Sequence, residues 1–194
     1  MTQHVGALLL AAGFSKRFGG TKLFAELESG QQVVAQTYQR IRAAVEQVII
    51  VTRPELEAEI TALTAAPVVF AESDRGMGAT LAFGVNEITK LGWDACLVCL
   101  ADMPFIQTET YADIAANTAS NQITIPTYQG KYGNPVAFGC EFFPDLSAVT
   151  GDAGGRPVIR RHQSAVLEVP LDDSAILADI DTPQDLAALQ QSLT

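Results

Sequence analysis

Short apolar runs alternate with amphipathic stretches along the first hundred residues, and this alternation constrains the fold more than any other feature. Val5 to Leu10, Val48-Ile49-Ile50-Val51, Val68-Val69-Phe70 and Cys96 to Leu100 read as buried strands. Between them, Gln32 to Val45, a segment from Pro54 to about Leu63, and Gly78 to Lys90 carry apolar residues at helical spacing. Strand and helix in turn imply right-handed crossovers and a parallel sheet covered on both faces. In such sheets ligands bind beyond the carboxyl ends of the strands. Further on, Thr108 to Ala116 is predicted as a helix, and Ile123 to Thr127 and Pro135 to Phe138 as strands around a turn at Tyr128-Gln129-Gly130-Lys131. That pair suggests a small β-ribbon laid against the core. Short helices from Phe142 and Arg156, a strand near Val166 to Val169 and a helix from Pro183 to Leu193 complete the pattern.

A chain of 194 residues suits one domain, with 1–105 and 106–194 as its two halves. No apolar run reaches spanning length, and Met1-Thr2-Gln3-His4 lacks the charged start of a signal peptide, so a soluble cytoplasmic protein is expected. The net charge of −10, without a long basic run, argues against nucleic acid as a partner, and no membrane partner is expected. Cys96 and Cys99 form a C-x-x-C, yet they lie in one apolar strand. Residues three apart on a strand point to opposite faces, so these thiols should not converge on a metal. The third cysteine is Cys140.

The stretch after the first strand runs Leu10-Ala11-Ala12-Gly13-Phe14-Ser15-Lys16-Arg17-Phe18-Gly19-Gly20-Thr21-Lys22. Small residues and glycines let backbone N–H groups approach phosphate oxygens, and cations offset the charge. Lys16, Arg17 and Lys22 stand with no acid among them, against the acidic average of the chain. The glycine spacing is not that of a Walker A loop, and no G-x-G-x-x-G is present. A glycine-rich surface turn is the plain alternative.

Three other places stand out, the first two at or just after strand ends. Asp102 follows an apolar strand in Leu100-Ala101-Asp102-Met103-Pro104, where a carboxylate reads either as a Mg²⁺ ligand or as a loop or N-cap aspartate. Gly76-Met77-Gly78-Ala79-Thr80 precedes a helix and offers close backbone approach to a base or ribose. Asp179 and Asp181, two apart on a predicted strand, would share one face, while Asp181-Thr182-Pro183 also reads as a helix cap.

Taken together these stretches resemble the MobA-like nucleotidyltransferases, in particular the molybdenum cofactor cytidylyltransferases. The opening loop is similar to L-A-A-G-x-S-x-R-[MF]-G-x-x-K, and G-M-[GS]-x-S-L (with Thr80 for the serine), L-A-D-M-P and D-[IV]-D-T-P follow in order. The resemblance implies a Rossmann-like three-layer α/β/α nucleotidyltransferase fold with a mostly parallel sheet. It implies Lys22, Arg17 and Asp102 as catalytic residues and Asp102 with Asp181 as ligands of Mg²⁺. It also implies a nucleotide site built from Leu10, Ala11, Ala12, Gly13, Arg17, Lys22, Gly76, Gly78 and Thr80. Lys16 falls at a variable motif position and is expected at the solvated surface. Gly133-Asn134-Pro135-Val136 and Gly151-Asp152-Ala153-Gly154-Gly155-Arg156 resemble the acceptor-side motifs, which marks Asn134, Asp152 and Arg156 for a molybdopterin-type acceptor. Ala12 resembles the cytidylyl branch, where guanylyl members carry glycine, which favours CTP over GTP.

The implied reaction moves CMP from CTP to the phosphate of molybdopterin, with release of pyrophosphate and with a molybdoenzyme as a candidate recipient of the product. Other readings keep the fold and change the donor to GTP, change the acceptor to a sugar phosphate, or replace turnover by cofactor carriage.

Overall fold

The computed structural model describes residues 3–15 and 17–193. The expectation for Lys16 lies outside them, as do Met1 and Thr2. Four parallel strands form the first part of one sheet: β1 (Val5–Leu10), β2 (Val48–Thr52), β3 (Val68–Val69) and β4 (Ala95–Leu100). Their order is β3-β2-β1-β4, so β1 sits centrally, buried on both faces. Alternate residues explain why its run is apolar throughout. Leu8 and Leu10 join one core cluster, and Ala7 and Leu9 the other.

Helices cover each face. The Ala7/Leu9 side packs against α1 (Val33–Ala44) and α2 (Glu57–Leu63) through Val34, Ile41 and Ile60. On the other side α3 (Met77–Thr89) buries Leu81, Val85 and Ile88. Cys96 belongs to the α3 side and Cys99 to the α1 side, both fully enclosed, as the strand spacing requires. Next, α4 (Thr108–Ala116) returns to the α1 side with Tyr111 and Ile114.

The sheet then continues with β5 (Ile123–Tyr128), β6 (Lys131–Tyr132) and β7 (Val136–Gly139). The two strands expected as a ribbon do pair antiparallel, Ile123 opposite Phe138. They extend the main sheet rather than lie against it, because β7 also pairs antiparallel with β4. The reason is their burial: Ala137 packs into one core cluster and its neighbour Phe138 into the other, which only a strand within the sheet allows. The ribbon itself is the short β5–β6 hairpin, with Thr127 opposite Tyr132. After α5 (Phe143–Ser147) and α6 (Arg156–Arg161), β8 (Val166–Pro170) pairs parallel to β5.

The chain then crosses to the carboxyl end of β4 and enters α7 (Pro183–Leu193). Residues 178–181, expected as a strand, pair with no strand; the Ile180 N–H donates instead to the Asp102 carbonyl at 3.1 Å. The cap of α7 is Thr182. Its hydroxyl accepts from the Asp185 N–H at 3.1 Å, and the Asp185 carboxylate accepts from the Thr182 N–H at 2.7 Å. This reciprocal capping box leaves the Asp181 side chain free for other partners. Among the described residues no helix is long and apolar enough to cross a membrane.

Candidate active site

The carboxyl ends of β1 and β4 open into a cavity of about 470 Å³. Leu10, Ala11, Ala12 and Gly13 form one wall, and Leu100 and Asp102 the floor beside it. Two hydrogen bonds hold this wall to its neighbours. The Ala11 N–H donates to the Val51 carbonyl at 2.8 Å, and the Thr52 hydroxyl donates to the Ala11 carbonyl at 3.1 Å. Beyond Gly13 the chain turns through Ser15, at φ 48, and Gly19, at φ 76, and a 3-10 turn from Lys22 to Phe24 brings Lys22 back to the floor. Among the described residues the buried Ser15 hydroxyl has no hydrogen-bond partner. Phe14 is exposed on the rim, with the Arg53 guanidinium 4.6 Å over its ring.

Four charged side chains from three separate stretches meet on that floor. Lys22 Nζ lies 2.6 Å from Asp102 Oδ2 and 3.3 Å from Asp181 Oδ1, while Arg17 lies 2.7 Å from Asp181 Oδ2. The Lys22 and Asp102 side chains are 11% and 17% exposed, whereas Arg17 is 73% exposed. Burial pulls the Lys22 pKa down, but the charge and hydrogen bond of Asp102, joined by Asp181, outweigh it and hold it above 10.5. Burial pushes the Asp102 carboxyl upward against the pull of Lys22. The two directions favour opposite forms of one pair, and the 2.6 Å separation sides with the ion pair at neutral pH.

The floor fits a hard divalent cation. An ammonium group already stands between two carboxylates there, and a third, Asp179, lines the same cavity. No group of three or more His, Cys, Asp or Glu side chains among the described residues forms a ready metal cage. Two carboxylates completed by substrate phosphates and water is the arrangement Mg²⁺ commonly takes.

The opposite wall carries Gly76 and Thr80 at the start of α3, together with Asp152. Gly78 does not line the cavity. It faces the 150–151 backbone, and its N–H donates to the Gly151 carbonyl at 2.6 Å. The close approach these glycines permit is therefore taken by the chain's own loop. A Cβ on Gly76 would stand 2.5 Å from the Asp152 carboxylate.

Of the three acceptor candidates, only Asp152 reaches the cavity. Asn134 is half-buried, its N–H donating to the Ile176 carbonyl at 2.9 Å, and Arg156 is exposed at the start of α6. Sequence reasoning missed Ser73, Phe14 and Met77, which also line the cavity. Phe14 and Met77 stood inside motifs as unremarkable positions; Ser73 had no signal at all.

A three-layer α/β protein with an anion-receptive loop and an acidic floor at its strand ends belongs to the nucleotide-binding class. Within that class the chain belongs to the MobA-like NTP transferase family, whose domain matches residues 7–166, and so is a nucleotidyltransferase of that family. It is 26% identical to the purine catabolism protein PucB of Bacillus subtilis (strain 168) over 200 residues, 96% of each chain. A molybdenum cofactor guanylyltransferase of Shewanella frigidimarina (strain NCIMB 400) is 28% identical over 192 residues, 95% of this chain and 94% of that one. Among solved structures, Rv0371c of Mycobacterium tuberculosis H37Rv superposes with a TM-score of 0.85 at 24% identity, covering 98% of this chain and 100% of that one. That likeness is one of fold.

Proposed function

We propose that the protein transfers CMP from CTP to the phosphate of a molybdopterin-type acceptor and releases pyrophosphate. The observation that carries the transfer chemistry is the meeting of Lys22, Asp102 and Asp181 at the strand ends, beneath the small-residue wall. An acceptor phosphate oxygen forms a bond to the α-phosphorus while the bond to the bridging oxygen of the β-phosphate breaks, in line. A phosphate monoester has a second pKa of about 6, so at neutral pH it attacks without a strong base. Among the described residues lining the cavity there is no histidine, in keeping with this.

What the reaction requires is positioning and charge neutralisation. Lys22, ammonium throughout the neutral range, would contact the triphosphate near the reacting phosphorus. Arg17, exposed on the rim, would grip the outer phosphate oxygens in bidentate fashion. The buried Ser15 hydroxyl, without a hydrogen-bond partner among the described residues, belongs to a residue that lines the cavity and is a further donor for a phosphate oxygen. Asp102 and Asp181 would hold Mg²⁺, which when bound supplies charge neutralisation at the phosphates. The base would rest against Leu10 to Gly13, Gly76 and Thr80.

Ala12 supports CTP as donor. The name of the Shewanella frigidimarina relative favours GTP, and that is the second reading. Pyrophosphate release by the purified protein, with Mg²⁺, a molybdopterin-type acceptor and CTP or GTP in parallel, separates them. Acceptor-dependent release with CTP is expected. Release with GTP alone would overturn the donor assignment, and silence with both, despite nucleotide binding, would point to another acceptor or to a carrier.

A further inference from the structure

We propose that Lys22 is an internal occupant of the divalent-cation position: in the free protein its ammonium blocks the cation, and a nucleotide triphosphate draws it away, so that nucleotide and cation are taken up together. The inference rests on the nucleotide- and cation-binding roles proposed above for this cavity. Its ground is geometric. Lys22 Nζ lies 2.6 Å from Asp102 Oδ2 and 3.3 Å from Asp181 Oδ1, bridging carboxylates from two separate stretches of chain. Asp102 and Asp181, the residues that would hold Mg²⁺, already spend these oxygens on the ammonium. Cation and ammonium are therefore competitors for one place.

Burial sets the direction of the effect. The Lys22 side chain is 11% exposed, and its backbone is fixed in the Lys22–Phe24 turn, next to the buried Leu23. A cation arriving alone must expel this ammonium from Asp102 and Asp181, its ion-pair partners among the described residues, and so leaves it in need of another anion. A triphosphate arriving in the same cavity supplies that anion. The lysine stem is long enough to swing from carboxylate to phosphate while the turn stays in place. The carboxylates it leaves then accept the cation that the phosphates also bind. Arg17 holds the other oxygen of Asp181, Oδ2, at 2.7 Å, but from the exposed rim, where its hold is weak.

Two measurements test this on the full chain, and neither uses turnover. The first is Mn²⁺ titration of nucleotide-free protein by electron paramagnetic resonance. Lys22→Met should bind Mn²⁺ about tenfold or more tightly than the wild type, and adding Asp102→Asn to it should abolish the gain. Equal or weaker binding by folded Lys22→Met overturns the proposal. Should that variant not fold, the second measurement decides: acylation of Lys22 in wild-type protein, read by peptide mass spectrometry with Lys90 as internal reference. Saturating Mn²⁺ should raise Lys22 labelling relative to Lys90, and unchanged labelling overturns the proposal. Failure to release pyrophosphate would count against the transfer reaction alone.

Discussion

The N–H of Gly78 donates to the carbonyl of Gly151 at 2.6 Å, joining the start of α3 to the loop that carries Asp152. This contact brings two motifs far apart in sequence onto one wall of the cavity at the strand ends. It depends on the absence of side chains, since a Cβ on Gly78 would stand 2.8 Å from the Gly151 oxygen. Gly76 adds a backbone requirement, with φ 99 and ψ 173, a region open essentially to glycine alone.

Gly76→Ala should therefore cost about 2–3 kcal/mol of stability, from backbone strain together with the clash against Asp152. Urea unfolding measures the cost. Nucleotide affinity should fall as well, because the wall shifts, and an unchanged midpoint would show that the loop moves aside freely.

Lys22→Ala should remove about 3 kcal/mol of transition-state stabilisation, on the order of a hundredfold in kcat, because the buried cation proposed to contact the reacting phosphate is lost. Arg17→Ala should act more mildly. Its partner Asp181 is reached from the solvated rim, so stability should change by less than about 0.5 kcal/mol, while kcat/KM falls about tenfold through weaker grip on the phosphates. Steady-state kinetics on both variants would separate the roles. Unimpaired turnover in Lys22→Ala would remove it from the reaction.

The α7 cap makes stability depend on acid pH. The hydrogen bond from the Thr182 side to the Asp185 carboxylate, aided by further backbone donors, holds its pKa below 3.8. A carboxyl depressed on folding contributes stability that is present above its unfolded pKa and is lost as pH falls through the lower folded value. Denaturant midpoints from pH 5 downward should therefore decline, and Asp185→Asn should flatten the decline below about pH 4. An identical acid limb in the variant would show that the cap contributes nothing.

Most of the fold was legible because apolar periodicity reports burial directly. The helix at Thr108–Ala116 and the strand at Val5–Leu10 fall where spacing alone puts them. The role of β7 was not legible, since Val136 to Gly139 reads equally well as a ribbon strand or an inserted one, and only its neighbours on both sides decide. In the site, Lys22, Asp102 and Asp181 could be named from motifs, but their ion pairs depend on bringing three distant stretches of chain together, which no local pattern encodes. The Asp179–Asp181 strand failed for a similar reason. Alternation suggested pairing, yet the Ile180 N–H bonds to the Asp102 carbonyl instead. Asn134, marked by its motif, has its backbone N–H tied to the Ile176 carbonyl and is not among the residues lining the cavity, a placement the motif does not encode.

The C-x-x-C is the place where sequence pattern and strand geometry gave opposite advice, and thiol chemistry can decide between them. Cys96 and Cys99 lie in β4 but belong to different core clusters, one on each face of the sheet. Burial alone pushes the Cys96 thiol far up, and burial followed by the nearby Cys96 does the same for Cys99. Cys140, at the end of β7, is only partly buried. A thiol reagent such as Ellman's should therefore label Cys140 alone in the folded protein at pH 8, and all three cysteines after denaturation. Zinc should not slow the native reaction. Rapid native labelling of two more thiols, or protection by zinc, would mean that β4 opens and that the pair can meet on one side.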